Sequence, residues 1–271
     1  MDFSKIEARG LVLLGCGKMG SAMLAGWLRD GLRAQSVWVQ DPAPSEWVQQ
    51  LGVRVNDVLP RAPAVVLVAV KPQMMADALP QLVAMGGGST LFLSVAAGTS
   101  MATYEGILGV GTPIVRAMPN TPAAIGQGIT ALIGNGQASV QDLVLAEEML
   151  RAIGQVVRLS SEDQMDAVTG LSGSGPAYLF YMIEAMAAAG QAQGLSAELA
   201  MDLARATVAG AGALAQRSEE GPDQLRVNVT SPNGTTAAGL EILMDPDTGL
   251  SPLIGATISA ATDRSKALSR G

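Results

Sequence analysis

Gly15-Cys16-Gly17-Lys18-Met19-Gly20 is a complete G-x-G-x-x-G run, the spacing of a loop that cradles a pyrophosphate. As a bare pattern it is weak, because a glycine-rich turn can equally hold nothing. Its context gives it weight: the apolar run Leu11 to Leu14 precedes it, and a helical pattern from Lys18 to Asp30 follows. In that setting the first glycine makes a tight turn, the second admits the pyrophosphate and the third packs helix on strand. The helix start then offers free N–H groups to the anion. About twenty residues further on an acidic residue is expected at a strand end, to accept hydrogen bonds from a ribose 2′-OH. Asp41 stands there. The expected ligand is a dinucleotide, bound by Leu14, Gly15, Cys16, Gly17, Lys18, Met19, Gly20 and Asp41. Cys16, the single cysteine, reads as a small loop residue and excludes both an intrachain disulfide and a thiolate metal cluster.

Further along, Ala69-Val70-Lys71-Pro72-Gln73 closes a third strand, and one of only four lysines sits at its carboxyl end, where open α/β sheets bind ligands. Lys71 reads as a cofactor or substrate contact, or else as a solvated strand-end charge. Ser94-Val95-Ala96-Ala97-Gly98 ends a fourth strand at the same edge with side chains small enough to admit a flat ring. Met118-Pro119-Asn120-Thr121-Pro122 follows a fifth, and its prolines stiffen the loop, so Pro119 and Asn120 read as a pocket wall. In the second half, Thr169 to Tyr178 is a glycine-serine turn running into a helix with Pro176 at its first position. Ser231-Pro232-Asn233-Gly234-Thr235-Thr236 places hydroxyls, an amide and a glycine at a helix start without a charged side chain. Such a nest suits a carboxylate or phosphate.

These segments need a scaffold, and the pattern supplies one. Strands at Gly10–Leu14, Val37–Gln40, Val65–Val70, Thr90–Val95, Ile114–Met118, Thr130–Ile133 and Val156–Leu159 alternate with helices at 18–30, 44–51, 73–83 and 139–153. That rhythm implies right-handed crossovers and an α/β fold: an N-terminal Rossmann-type, doubly wound, mostly parallel sheet over residues 1–161. From Ser161 onward no strand is expected. Residues 162–271 read as an all-α domain, with long helices at 176–190 and 196–217 crowded with alanine and glycine. Its small apolar core calls for a partner chain, so a homodimer or a higher homo-oligomer is expected.

Composition narrows the chemistry. The 271 residues are 48% hydrophobic and 15% charged, enough to bury a full core. Seventeen Lys and Arg against 24 Asp and Glu leave a net charge of −7, which argues against nucleic acid and anionic membrane surfaces as partners. There is no histidine, which removes imidazole acid–base catalysis and most zinc and haem sites, so no metal is expected. The first residues carry no apolar signal region, and Ala62 to Val70 is too short to span a membrane. A cytoplasmic protein is expected.

Taken together, Gly15 to Gly20, Ala69 to Gln73, Met118 to Pro122, Thr169 to Tyr178 and Ser231 to Thr236 give a chain that resembles the pyrroline-5-carboxylate reductase family from Leu11 to about Leu268. The resemblance implies a nucleotide-binding domain, a helical dimerisation domain, and hydride transfer from NAD(P)H to the imine carbon of 1-pyrroline-5-carboxylate, giving L-proline. It implies that Asn56 contacts the adenosine end of the cofactor and that Ala69, Val70, Lys71, Pro72, Ala96, Ala97 and Gly98 line its nicotinamide side. Pro119, Asn120, Ser231, Gly234, Thr235 and Thr236 are the implied substrate site, the last four holding the carboxylate, with Thr236 the candidate catalytic residue. The missing histidine fits, because an iminium ion already carries its proton and needs no strong acid. Two alternatives stand beside this reading. A β-hydroxyacid or prephenate-type dehydrogenase would want a catalytic Lys or His in the helical half, which contains only Lys266. A non-catalytic NAD(P)-sensing module would bind cofactor without turnover.

Overall fold

The computed structural model describes residues 2–269. Leu11–Leu14 (β1), Val37–Gln40 (β2), Arg54–Val55 (β3), Val65–Val68 (β4), Leu91–Ser94 (β5), Ile114–Met118 (β6), Gly128–Gly134 (β7) and Gly154–Arg158 (β8) form one sheet. Its order is β3-β2-β1-β4-β5-β6-β7-β8, and each neighbouring pair is parallel except β6–β7. β1, β4 and β5 are buried along their whole length, as parallel strands covered on both faces must be. β2, next to the short edge strand, alternates buried and half-buried residues instead.

Helices Ser4–Arg9 (α1), Lys18–Arg29 (α2), Glu46–Gln50 (α3), Met75–Ala78 (α4), Met101–Leu108 (α5) and Val140–Arg151 (α6) are interleaved with the strands. Two apolar cores result. One holds Leu11, Leu13, Met23, Trp27 and Met149. The other holds Val12, Leu14, Leu79, Phe92 and Tyr104. The alternation of β1 residues between the two follows from the period of a strand. The buried Trp27 indole donates to the Met149 carbonyl at 2.8 Å, so its polar edge is satisfied.

Three local features depart from the sequence pattern. The expected helix over 73–83 is broken into 3₁₀ turns at Pro72–Met74 and Leu79–Met85 flanking the four-residue α4. Pro80 explains this, because it lacks an N–H and its ring clashes with the carbonyl four residues back. Helix α5 has no counterpart in the sequence reading. Gly106 weakens its propensity, and its start rests on the Ser100 hydroxyl accepting from the Thr103 N–H at 3.2 Å. Short elements α1 and β3 were likewise unmarked by any periodicity.

After β8 come Met165–Val168 (α7), a π-helical turn at Thr169–Gly173, Gly175–Ala192 (α8), Ala197–Arg217 (α9), Pro222–Asn228 (α10), Thr235–Leu243 (α11) and Leu250–Ser269 (α12). Pro176 is the second residue of α8 rather than the first. The chain divides into two compact units: Ser174–Ala260, and the remainder on either side of it, through Gly173 and from Ala261. In the helical unit, α8 and α9 meet through Ala187, Ala200 and Ala204, with Ile183 and Met201 packed against them. Small side chains let the two axes close in. They bury little, and Phe180, Tyr181, Leu203, Leu214 and Ile242 remain exposed. Among the described residues, no helix is long and apolar enough to cross a membrane.

Candidate functional site

β1 lies between β2 and β4, so the strand order reverses direction there, and the crevice at the carboxyl ends of these strands is where an open α/β sheet binds its ligand. Two loops are fixed at that point by the ladder. The Gly15 N–H donates to the Gln40 carbonyl at 2.8 Å and the Ala69 N–H to the Leu14 carbonyl at 2.8 Å. The glycine-rich loop and Ala69–Lys71 are thereby side by side.

The three glycines of the loop have three different reasons to be glycine. Gly15 has φ of +85°, and a Cβ there would lie 2.9 Å from the Ala69 carbonyl oxygen, so both backbone and space forbid a side chain. A Cβ on Gly20 would meet the Gly15 carbonyl oxygen at 2.9 Å, the close helix–loop contact. Gly17, the N-cap of α2, has an ordinary φ of −70°, and a Cβ there would meet nothing within 4 Å. The fold does not require glycine at 17. The open backbone there leaves room for a ligand, and the residues present fit a dinucleotide pyrophosphate.

Asp41 ends β2 with its carboxylate turned back onto this loop. One oxygen accepts from the Cys16 N–H at 2.7 Å and the other from the Ala43 N–H at 2.9 Å. Asn56, with a left-handed φ of 52°, grips the Asp41 peptide from the other side. Its side-chain oxygen accepts from the Asp41 N–H at 3.0 Å and its nitrogen donates to the Asp41 carbonyl at 2.9 Å. The pairing of Asp41 with Asn56 fixes one wall of a cleft of about 370 Å³ that Leu14, Val70 and Asp77 also line. Cys16 is buried, which pushes its thiol above the ordinary range. The Ser21 hydroxyl beside it works against that shift and the Asp41 charge adds to it. The thiol is held protonated, as a structural residue rather than a redox one.

The other segments expected to face the cofactor lie at this edge. Lys18 is exposed at the start of α2, Met19 half-buried beside it, Lys71 exposed past β4, and Pro72 opens a 3₁₀ turn. Ala96 is buried, while Ala97 and Gly98 are half-buried just beyond β5. Gly98 has φ of +69°, and a Cβ there would come within 3.2 Å of the Leu268 Cβ of α12. Asn120 braces the loop after β6: its oxygen accepts from the Ile129 N–H at 3.0 Å and its nitrogen donates to the Ser172 carbonyl at 3.2 Å. Pro119 is buried next to it.

Ser231, Gly234, Thr235 and Thr236 lie in the helical unit. Gly234 is the N-cap of α11, its N–H donating to the Ser231 carbonyl at 3.0 Å, and no side chain caps the helix. Asn233 takes a left-handed φ of 58° to make the turn. Thr235 and Thr236 are exposed as the first two residues of α11, so hydroxyls and unpaired helix N–H groups stand together.

Not every residue at this edge is marked in the sequence. Asp77 gives no signal, being one acid on an unremarkable helix. Arg116 does give one, a charge inside the apolar strand Ile114–Met118, and it proves to be buried and paired with Glu162.

A doubly wound sheet with a glycine-rich loop at its switch point, followed by a helical unit, is an architecture that NAD(P)H-dependent oxidoreductases use. A family model for pyrroline-5-carboxylate reductase dimerisation matches residues 162–268, and one for NADP oxidoreductase, coenzyme F420-dependent, matches residues 10–98. The chain is 38% identical over 264 residues to a pyrroline-5-carboxylate reductase of Pseudomonas aeruginosa, covering 95% of this chain and 96% of that one. It also superposes on a pyrroline-5-carboxylate reductase structure from Coxiella burnetii with a TM-score of 0.90, at 33% identity, covering 96% of this chain and 98% of that one. A Plasmodium falciparum pyrroline carboxylate reductase solved with NADP bound gives a TM-score of 0.84 at 28% identity, over 97% of this chain and 99% of that one. The chain belongs to the pyrroline-5-carboxylate reductase family.

Proposed function

We propose that this chain reduces 1-pyrroline-5-carboxylate to L-proline with NAD(P)H, in the cytoplasm, as a homodimer or a larger assembly of dimers. What carries the reading is the family match over nearly the whole chain together with the open cradle at Gly17. Residues 1–161 serve as the nucleotide-binding domain and 162–271 as the dimerisation and substrate domain. When bound, the dinucleotide supplies the hydride. Leu14 to Gly20 hold its pyrophosphate, Asp41 and Asn56 its adenosine ribose, and Ala69 to Pro72 with Ala96 to Gly98 its nicotinamide half.

Ser231, Gly234, Thr235 and Thr236 hold the substrate carboxylate with neutral donors. Neutral donors suit this substrate: they bind the carboxylate without opposing the positive charge of the iminium. The protonated imine needs no further acid, so the protein's contribution is alignment, which can be worth roughly 7–11 kcal/mol. Thr236→Ala is expected to lower kcat/KM for the imine about tenfold, the loss of one hydrogen bond to a charged group. NADH affinity measured by fluorescence titration should stay within about twofold. Collapse of NADH affinity with an unchanged imine KM would remove Thr236 from the substrate site.

The exposed apolar side chains of α8, α9 and α11 are too many for a helical unit standing in water. Light scattering of the intact chain should give twice its 27.7 kDa mass or a higher even multiple. A monomer at micromolar concentration would contradict the assembly.

A further inference from the structure

A buried polar chain runs under the Val95–Gly98 segment and belongs to none of the sites described above. Tyr104 of α5 is fully buried, yet it is a phenol where a phenyl ring would fill the same space. Its hydroxyl lies 2.5 Å from the Ser94 hydroxyl at the end of β5, and the Ser94 oxygen in turn accepts from the Ala96 N–H at 3.2 Å. The phenol therefore holds the serine hydroxyl that receives an N–H of the segment itself.

The phenol itself is held in place. Tyr104 sits one turn into α5, and the first N–H of that helix, on Met101, donates to a Glu162 carboxylate oxygen at 2.7 Å. Glu162 is paired with Arg116, whose side chain is 9% exposed. That cation lies near enough to the phenol to favour its ionised form, but burial outweighs it and keeps Tyr104 protonated. A buried hydrogen-bonded chain of this kind costs stability if any member is unsatisfied, so its presence calls for a reason other than packing.

We propose that Tyr104 is a positioning residue for the reduced nicotinamide: by holding the Ser94 hydroxyl against the Ala96 N–H it sets the backbone of Val95–Gly98, which the proposed function places beside that ring. The inference rests on that reading. Tyr104 touches neither cofactor nor substrate and acts through the loop alone.

Tyr104→Phe removes the oxygen and keeps the ring. Binding of NADH should weaken about tenfold, while binding of ADP-ribose, which lacks the nicotinamide, stays within about twofold of wild type. With saturating NADH, kcat for the imine should fall about tenfold and the imine KM should hold. Ser94→Ala should reproduce this pattern, and the double variant should be no worse than either single one, because all three remove the same interaction. If Tyr104→Phe folds poorly, Ser94→Ala carries the same test. Equal weakening of NADH and ADP-ribose would reveal a merely structural role and overturn the proposal, as would NADH binding equal to wild type. A wild-type chain that binds neither ligand would instead overturn the function on which it rests.

Discussion

Gly17→Val is expected to weaken NADH binding at least about 100-fold while leaving the fold in place. The two halves of that expectation come from one observation, that a Cβ at Gly17 meets no protein atom within 4 Å and the residue already has φ of −70° and ψ of −159°. The negative φ suits an L-residue, and no neighbour has to move. The stability cost is the poorer N-cap, about 1 kcal/mol at most. The space a valine would fill is where the backbone N–H groups at the start of α2 must reach a pyrophosphate, and a 100-fold loss corresponds to about 2.8 kcal/mol. Gly15→Ala sets the contrast. Its φ of +85° and the 2.9 Å approach to the Ala69 carbonyl strain the loop itself, so this variant should lose thermal stability before binding is even measured. Thermal melts and NADH titrations of the two variants separate these cases. A Gly17→Val protein that binds NADH as tightly as wild type would show that the cofactor does not pass over this loop.

The two glycines also show what a sequence can and cannot convey. The G-x-G-x-x-G spacing between Leu14 and Gly20 marks a loop of this type, because the turn, the approach and the helix contact each demand glycine at a set interval. The strands beside it are legible for a similar reason: Val65–Val68 and Leu91–Ser94 are buried on both faces and so read as unbroken apolar runs. What escaped was held by contacts distant in the chain. Helix α5 starts on a carboxylate 61 residues away, Glu162. Its Tyr104 is explained by Ser94 at the end of β5, and no periodicity within Met101–Leu108 announces that. The helix expected over 73–83 failed at Pro80, a local signal that the apolar spacing of Met75, Leu79 and Leu82 obscured. The Ser231–Thr236 nest was legible as a helix start because Gly234 and the threonines are cap chemistry, which is local.

NADH should outperform NADPH with this chain, by a factor between several-fold and several-hundred-fold in affinity and in kcat/KM. The preference follows from the charge at the end of β2. The Asp41 carboxylate is clamped by the Cys16 and Ala43 N–H groups at 2.7 and 2.9 Å, and its peptide is gripped by Asn56. Pro42 and Pro44 therefore do not swing the acid away. A second acid, Asp77, lines the same cleft, and no Lys or Arg is among its lining residues within the described part of the chain. Arg33 and Arg54, which flank β2 in the chain, are engaged elsewhere. Arg33 pairs with Glu7 at 2.7 Å, and Arg54 stacks on the Trp38 ring at 4.7 Å while donating to the Gln35 carbonyl. A 2′-phosphate about 4 Å from the carboxylate would meet a repulsion per unit charge of about 1 kcal/mol in bulk water and about 4 kcal/mol at an effective dielectric near 20. Each 1.4 kcal/mol is about tenfold. Asp41→Ser removes the charge and should narrow the ratio of NADPH to NADH dissociation constants at least about tenfold. Asp41→Asn keeps an oxygen for the Cys16 N–H, so it should narrow the ratio with less loss of NADH affinity. Fluorescence titrations of both dinucleotides against the three proteins decide the matter. A wild type that prefers NADPH, or a ratio that Asp41→Ser leaves unmoved, would mean that the 2′ position of the ribose lies beyond the reach of this carboxylate.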